Sequence, residues 1–221
     1  GTLNAFAATT PLSIALDDLR AAAYGGNLYI TGGRTAAPVE RTQTEYAPIN
    51  ADGTIGAWTA SASLFTTGRH NHRTVIHNGF IYVIGGRSGA PYLNDIQYAP
   101  ITANGDIGTW VTTSSFAASG RDNHASFVTN GHLYVLGGFQ SGIYKDDVRV
   151  APINANGSLG AFSDAMPFLG TRQGHSSAAY NGFVYILGGY NGASWLNDVQ
   201  GARVTAKPDT GWWTTNAWTF A

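Results

Sequence analysis

The chain of 221 residues contains no cysteine and one methionine, and only 11% of its residues are charged. Without cysteine, disulfide staples, thiolate metal sites and cysteine nucleophiles are excluded. This absence assigns no compartment, because a chain with a sufficient core needs no staples. The charged fraction lies well below the usual quarter or so, and 12 basic residues against 13 acidic ones leave a net charge of −1. No basic stripe is present to hold nucleic acid. No run reaches the roughly 18–20 apolar residues of a membrane-spanning helix. No signal peptide is legible, and the first residue is Gly1 rather than Met, as expected of a processed chain or a piece of a longer one. Glutamate is nearly missing, with Glu40 and Glu45 the only examples. What remains is apolar and aromatic: hydrophobic residues make up 43% and aromatic residues 12%. That is enough to build a substantial core and argues against global disorder.

A repeat dominates what is present. Four times a short apolar strand runs into a glycine pair: Tyr29-Ile30-Thr31-Gly32-Gly33, Tyr82-Val83-Ile84-Gly85-Gly86, Tyr134-Val135-Leu136-Gly137-Gly138 and Tyr185-Ile186-Leu187-Gly188-Gly189. The second glycines are 53, 52 and 51 residues apart. A period near fifty marks a propeller or another repeat array. In the second unit, Arg69-His70-Asn71-His72 opens the repeat and Thr74-Val75-Ile76 reads as a strand. Asn78-Gly79 reads as a two-residue hairpin turn. Phe80 to Ile84 is a continuous apolar run, as expected of a strand buried on both faces. A third strand covers Asp95 to Tyr98, and a fourth covers Ile107 to Thr113 with Trp110. Each unit thus predicts four antiparallel strands and no helix. One such sheet cannot bury both its faces, but radially stacked sheets can, which is a β-propeller.

The Arg-x-x-His opening, the Asn-Gly turn, the strand ending in Gly-Gly and the spaced aromatics resemble the kelch repeat. The resemblance covers nearly the whole chain and extends to bacterial propellers like the central domain of galactose oxidase. It implies an all-β, kelch-like β-propeller with four recognisable four-stranded blades plus an N-terminal extra outer strand. Unit one departs from the pattern, with Leu16 and Leu19 in place of Arg and His, and Gly25-Gly26 in place of Asn-Gly. The chain is read as one domain or propeller segment, 1–221. Residues 1–9 form the outer strand, and the units span about 16–68, 69–120, 121–171 and 172–221. Residues 205–221 form a divergent tail.

The two ends do not match by counting. Gly1 to Phe6 resembles Gly157 to Phe162, an outer strand without its own inner three, while Ala202 to Trp213 aligns with Ala151 to Phe162. In that alignment the turn becomes Lys207-Pro208-Asp209 and the aromatics become Trp212-Trp213. Three arrangements follow. Residues 1–9 complete the fourth blade and close a ring of four; or the chain is a segment of a larger propeller; or two copies complete a larger ring.

Candidate sites must be separated from the repeat itself. His72, His124 and His175 recur in register, so each is expected to bond a neighbouring blade rather than a metal. His70 and His72 form a single His-x-His pair with no nearby carboxylate, and no metal or cofactor is assigned. Asp95, Asp147 and Asp198 are read as turn caps. Arg69, Arg121 and Arg172 open their units. They either converge to hold a carboxylate or phosphate through the guanidinium fork, or pair with backbone or an aspartate of the adjacent blade. The loops after the glycine pairs vary most. Arg34, Arg87 and Tyr190 stand one residue beyond the pair, with Phe139 at the third unit, and Tyr92, Tyr144 and Trp195 stand six beyond, with Val39 at the first. Exposed Tyr, Trp and Arg are typical interface anchors.

An oxidase site of the galactose-oxidase kind needs a cysteine-linked tyrosine, which this chain cannot form. No group of carboxylates or histidines suited to acid–base chemistry on a sugar stands out, so no catalytic residue is assigned. A fold alone assigns no function. The residues point to a non-catalytic recognition module that binds a glycan or a protein partner through loops on one propeller face. The alternatives are a structural subunit of an extracellular assembly, self-associating through blade edges and the Trp-rich tail, and a carbohydrate-active enzyme of the epimerase or lyase type. The composition suits a secreted or cell-surface bacterial protein.

Overall fold

The computed structural model describes residues 5–206, 213–215 and 219–220. Most of the Gly1 to Phe6 motif, the Lys207-Pro208-Asp209 turn and Trp212 lie outside the described residues. Among the described residues all regular structure is β. The first sheet holds β1 (Arg20–Tyr24), β2 (Asn27–Thr31), β3 (Thr44–Pro48) and β4 (Thr59–Ala60). The second holds β5 (Arg73–His77), β6 (Phe80–Ile84), β7 (Ile96–Pro100) and β8 (Val111–Thr112). The third holds β9 (Ala125–Thr129), β10 (His132–Gln140), β11 (Ile143–Pro152) and β12 (Ser163–Ala165). The fourth holds β13 (Ser176–Tyr180), β14 (Phe183–Tyr190), β15 (Trp195–Ala206), β16 (Trp213–Thr215) and β17 (Thr219–Phe220). Every sheet is an antiparallel meander in chain order. The innermost strands lie beside one another, β1 by β5, β5 by β9 and β9 by β13. These are the four blades of the β-propeller that the repeat implies, stacked in chain order, with no comparable contact between β13 and β1 among the described residues.

Local chemistry explains each blade. Asn78-Gly79, Asn130-Gly131 and Asn181-Gly182 all have both φ angles positive, as does Gly25-Gly26 in the first blade. A two-residue turn with that geometry matches the twist of the strands it joins. The apolar run in β6 is buried on both faces, with Ile81, Tyr82, Val83 and Ile84 all at 0% exposure. Ile81 and Val83 pack on Tyr29 and Phe65 of the first unit. Tyr82 and Ile84 pack on Leu133 and Val135 of the third blade. The third and fourth blades meet likewise, Tyr134 and Leu136 against Val184 and Ile186. Each such side chain stabilises its seam by about 1.5–3 kcal/mol. Trp110 adds an edge-on contact with Phe65, their centroids 5.5 Å apart, near the rim.

The glycine pair is required by the seams. A Cβ on Gly85 would lie 3.1 Å from Cε1 of His124 in the next blade, and one on Gly137 would lie 2.9 Å from Cε1 of His175. The second glycine presses on the histidine of its own blade in units two to four, and on Leu19 in unit one; a Cβ on Gly86 would sit 2.7 Å from that of His72 and one on Gly33 3.0 Å from that of Leu19. Its N–H donates across the seam, from Gly33 to the Arg69 carbonyl, Gly86 to Arg121 and Gly138 to Arg172.

The outer strands depart from the sequence reading. The fourth strand of unit two is only Val111–Thr112, because Ile107 instead bridges Ile101 across the preceding turn. In the fourth blade the outer edge belongs to β16 and β17, and residues 5–16 form no strand. The register also differs from the Trp212-Trp213 alignment. Gln97 pairs with Thr112, fifteen positions on, whereas Gln200 pairs with Phe220, twenty positions on. The equivalent of the Val111–Thr112 strand is therefore Thr219–Phe220, and the connection before it is five residues longer. The tryptophan directly preceding that strand in sequence, as Trp110 precedes Val111, is Trp218.

Candidate functional site

The opening arginines do not form an anion ring. Arg69, Arg121 and Arg172 are at most 2% exposed. Each aims its fork at an aspartate of its own blade, twenty-six residues on. Arg69 Nη1 and Nη2 donate to the two oxygens of Asp95 at 3.0 and 2.8 Å. Arg121 does so to Asp147 at 2.6 and 2.9 Å, and Arg172 to Asp198 at 2.6 and 2.9 Å. Nη1 also donates to the first glycine of the pair, Gly85, Gly137 or Gly188. The guanidinium caps a phenylalanine ring, as Arg69 does at 5.7 Å from the Phe65 centroid. The aspartates read as turn caps are thus the arginines' partners. Burial alone would raise the Asp95 carboxyl, but Arg69 and Gln97 outweigh it and hold the group below its ordinary value. Hydrogen bonds from Arg172 do the same for Asp198.

Of the recurring histidines, His72 bonds the preceding blade as expected, its Nε2 meeting Thr31 Oγ1 at 2.9 Å. His124 does not: neither of its ring nitrogens has a hydrogen-bond partner among the described residues, and its ring packs on Phe116 with centroids 5.7 Å apart. Burial, with nearby arginines, lowers the pKa of His72 and His124 well below the ordinary value and that of His175 to about 3, so all three are neutral. His70 and His72 do not share a face, because Asn71 between them is left-handed, with φ 52°. His70 turns to Glu40, 3.5 Å away, while His72 turns into the seam. Among the described residues no group of three His, Cys, Asp or Glu is placed to hold a metal.

The loops after the glycine pairs do share a face with the opening segments, since backbone bridges join His70 to Arg87 and Gln173 to Tyr190. There the aromatics form one continuous ladder across three blades. The Arg87 guanidinium lies 5.0 Å from the Tyr92 centroid. Tyr92 then meets Phe139 at 6.0 Å, Phe139 meets Tyr144 at 5.0 Å, Tyr144 meets Tyr190 at 5.9 Å and Tyr190 meets Trp195 at 4.8 Å. The residue six beyond one glycine pair therefore packs on the residue one beyond the next. The structure brings together Arg87, Tyr92, Tyr144, Tyr190 and Trp195, and adds Phe139. It leaves Arg34 apart, on the first blade, paired with Asp17 at 3.0 Å and Asp18 at 3.3 Å.

A second concavity is the central channel, a cavity of about 220 Å³ lined by Arg20, Arg73, Ser126, His175, Ser176 and Ser177 among others. Sequence reasoning missed its two arginines. Their signal is the first position of the inner strand, where units three and four have Ala125 and Ser176. Arg20 Nε donates to the His72 carbonyl at 2.9 Å. Burial, then repulsion from Arg20, lowers the pKa of Arg73 to about 10. Near the loop face, burial raises the Asp122 carboxyl to about 6, and its Oδ1 has no hydrogen-bond partner among the described residues.

Comparison with known proteins accords with this geometry. A model of the Kelch motif matches residues 68–98, the stretch from the opening arginine through the glycine pair to β7. The human Kelch domain-containing protein 3 is 30% identical over 137 residues, covering 56% of this chain and 34% of that protein, and its rat counterpart matches equally. N-acetylneuraminate epimerase of Shigella boydii serotype 4 is 33% identical over 115 residues, covering 44% of this chain and 30% of the enzyme. The chain spans about a third of the length of these relatives.

Proposed function

We propose that this chain, a kelch-repeat β-propeller, is a non-catalytic interaction module that holds a segment of a protein partner against the aromatic ladder. The observation that carries the reading is the unbroken series from Arg87 to Trp195 on the loop face. Neighbouring rings from Tyr92 to Tyr190 meet at 60–76°. Such tilted rings make no flat platform for a sugar. They leave notches between blades that suit side chains of a peptide, with Arg87 at one end to meet an acidic group. The frame below is rigid, so little ordering is needed on binding. The low charge and the Gly, Ala, Ser, Thr and Asn bias suit a secreted or cell-surface setting.

Displayed random peptides selected on the wild-type protein test this reading. Peptides that bind wild type are expected to lose at least tenfold affinity for a Tyr144→Ala, Tyr190→Ala double variant. Equal binding to that variant sinks the reading, and glycan-array binding that is lost in it would move the ligand to the sugar class.

The channel favours a second reading, a small carboxylated ligand such as a sugar acid. Arg20 and Arg73 stand beside serine hydroxyls, and a relative's name includes N-acetylneuraminate. Titration with N-acetylneuraminate is expected to show saturable binding that Arg73→Ala abolishes. No heat and no chemical-shift change in the wild type removes this reading.

A further inference from the structure

The fourth blade exposes a face that the earlier blades bury. Tyr185, Leu187 and Val199 are 38%, 41% and 37% exposed, while Tyr82, Ile84 and Ile96 at the same repeat positions are each at 0%. The backbone tells the same story. A Cβ on Gly188 would meet only the Leu196 carbonyl, where Gly85 and Gly137 press on a histidine of the next blade. No bond from Gly189 N–H to an opening segment is found among the described residues, in contrast to Gly86 and Gly138.

The first blade shows the complementary gap. In the first two inner seams a tyrosine reaches the turn of the next blade: Tyr29 Oη donates to the Gly105 carbonyl at 2.9 Å and Tyr82 Oη to that of Gly157 at 2.8 Å, while Tyr134 Oη in the third has no partner among the described residues. The corresponding turn of the first blade is at Gly53, where nothing lies within 4 Å of a Cβ position. Ile49 beside it is 40% exposed. Nor is Gly53 reached by Tyr185 of its own chain.

Two further features extend the match. Trp195 is 83% exposed. By the ladder rule it should pack on the residue one beyond the glycine pair of a following blade, and in a first blade that residue is Arg34. Arg34 borders a cavity of about 230 Å³ together with Ala15, Leu16, Asp17 and Ala36. The N-terminal segment completes the picture. Thr9 Oγ1 accepts from Ile55 N at 2.7 Å, just as Thr113 Oγ1 accepts from Leu159 N at 2.9 Å across an internal seam. Ala7-Ala8 therefore hold the place of an outer strand with no sheet inside it.

We infer that the chain associates head to tail with a second copy, the fourth blade of one against the first blade of the other. The interface continues an established one, since its two halves carry the positions that form the three internal seams. Tyr185 donates to the Gly53 carbonyl of the second copy, Leu187 and Val199 cover its first sheet, and Trp195 enters the Arg34 cavity. Ala7-Ala8 of that copy take the outer edge of β15 in place of Thr219–Phe220, which hold it within one chain. Two such seams close a ring of eight blades, within the range that propellers use. Each seam joins unlike faces, and a two-fold axis makes the two seams reciprocal, so two copies are enough to close the ring.

Light scattering after size exclusion tests this on the 221-residue chain. The expected mass is twice the 23.3 kDa of one chain, falling on dilution. Leu187→Asp on the fourth blade and Ile49→Asp on the first should each give single chains, with circular dichroism verifying that both stay folded. Mixing these two variants should restore a dimer through the one seam that remains intact, and Tyr185→Phe should weaken the wild-type dimer without abolishing it. A wild-type mass of one chain at all concentrations overturns the proposal. So does a dimer that survives both aspartate variants, or a mixture of the two that fails to pair.

Discussion

Arg69, Arg121 and Arg172 show how a recurring charged residue is committed to the frame. Each guanidinium is buried, forked onto an aspartate, bonded to a glycine carbonyl and stacked on a ring, which leaves no face for a ligand. Removing one partner of such a buried pair leaves the other uncompensated, so Arg69→Ala should cost about 3–5 kcal/mol in urea unfolding. Arg69→Lys should recover only part of this, because an ammonium cannot bridge both oxygens and the carbonyl. The pH dependence has two opposed parts. Asp95 and Asp198 have folded pKa values below the ordinary 3.8. Their stabilisation is complete above that value and is lost as pH falls through the folded pKa. Asp122 runs the other way. Its folded pKa is raised to about 6 from 3.8, so between those values the folded carboxyl keeps a proton the unfolded one releases. Stability therefore declines as pH rises through that window. Asp122→Asn should raise the Tm at neutral pH and flatten the profile between about pH 4 and 6, as measured by thermal melts at a series of pH values. A Tm at neutral pH equal to or below wild type would contradict that assignment.

At the scale of the element, the glycines divide into those that turn and those that pack. Gly131 has φ +71° and open space around it, while Gly137 has φ +54° with Phe168 and His175 within 3 Å of a Cβ position. Gly131→Ala should cost about 1–2 kcal/mol, the penalty for a left-handed residue with a side chain. Gly137→Ala should cost about 2–5 kcal/mol, since overpacking of the seam is added. Equal losses in denaturant titration would mean that the pair is conserved through the units for the turn alone. Much of this was legible in the chain. The Tyr82 to Ile84 run announced a doubly buried strand, and Asn78-Gly79 announced its hairpin. The Arg–Asp pairing was hidden because its two members stand twenty-six residues apart and meet only once the blade is folded. The outer strand was misplaced because Trp212-Trp213 mimics the aromatic position five residues too early, and only the pairing of Gln200 with Phe220 reveals the longer connection. For the site, the spacing after each glycine pair marked Tyr92, Tyr144, Tyr190 and Trp195. Their union into one ladder depends on contacts between consecutive blades, which no single unit encodes.

At the scale of the molecule, stability in a repeat array is close to a sum of unit terms and nearest-neighbour seams. The second and third blades are covered on both faces by seams, and the first is met on its outer side by the N-terminal segment through Thr9, Thr10 and Ser13. The fourth has one seam and an open apolar face. Opening should therefore begin at the fourth blade, because releasing it disrupts a single interface. Amide exchange on the single-chain Leu187→Asp variant should find β14 the least protected of the four second strands, with β6 and β10 the most protected. In the wild-type protein at concentrations where two copies pair, β14 should rise toward the protection of β10, while β6 changes little because its seams are internal. Uniform exchange across β2, β6, β10 and β14 in the single chain would mean that the blades unfold as one unit. In that case the exposed face of the fourth blade would contribute nothing to the order in which the array opens.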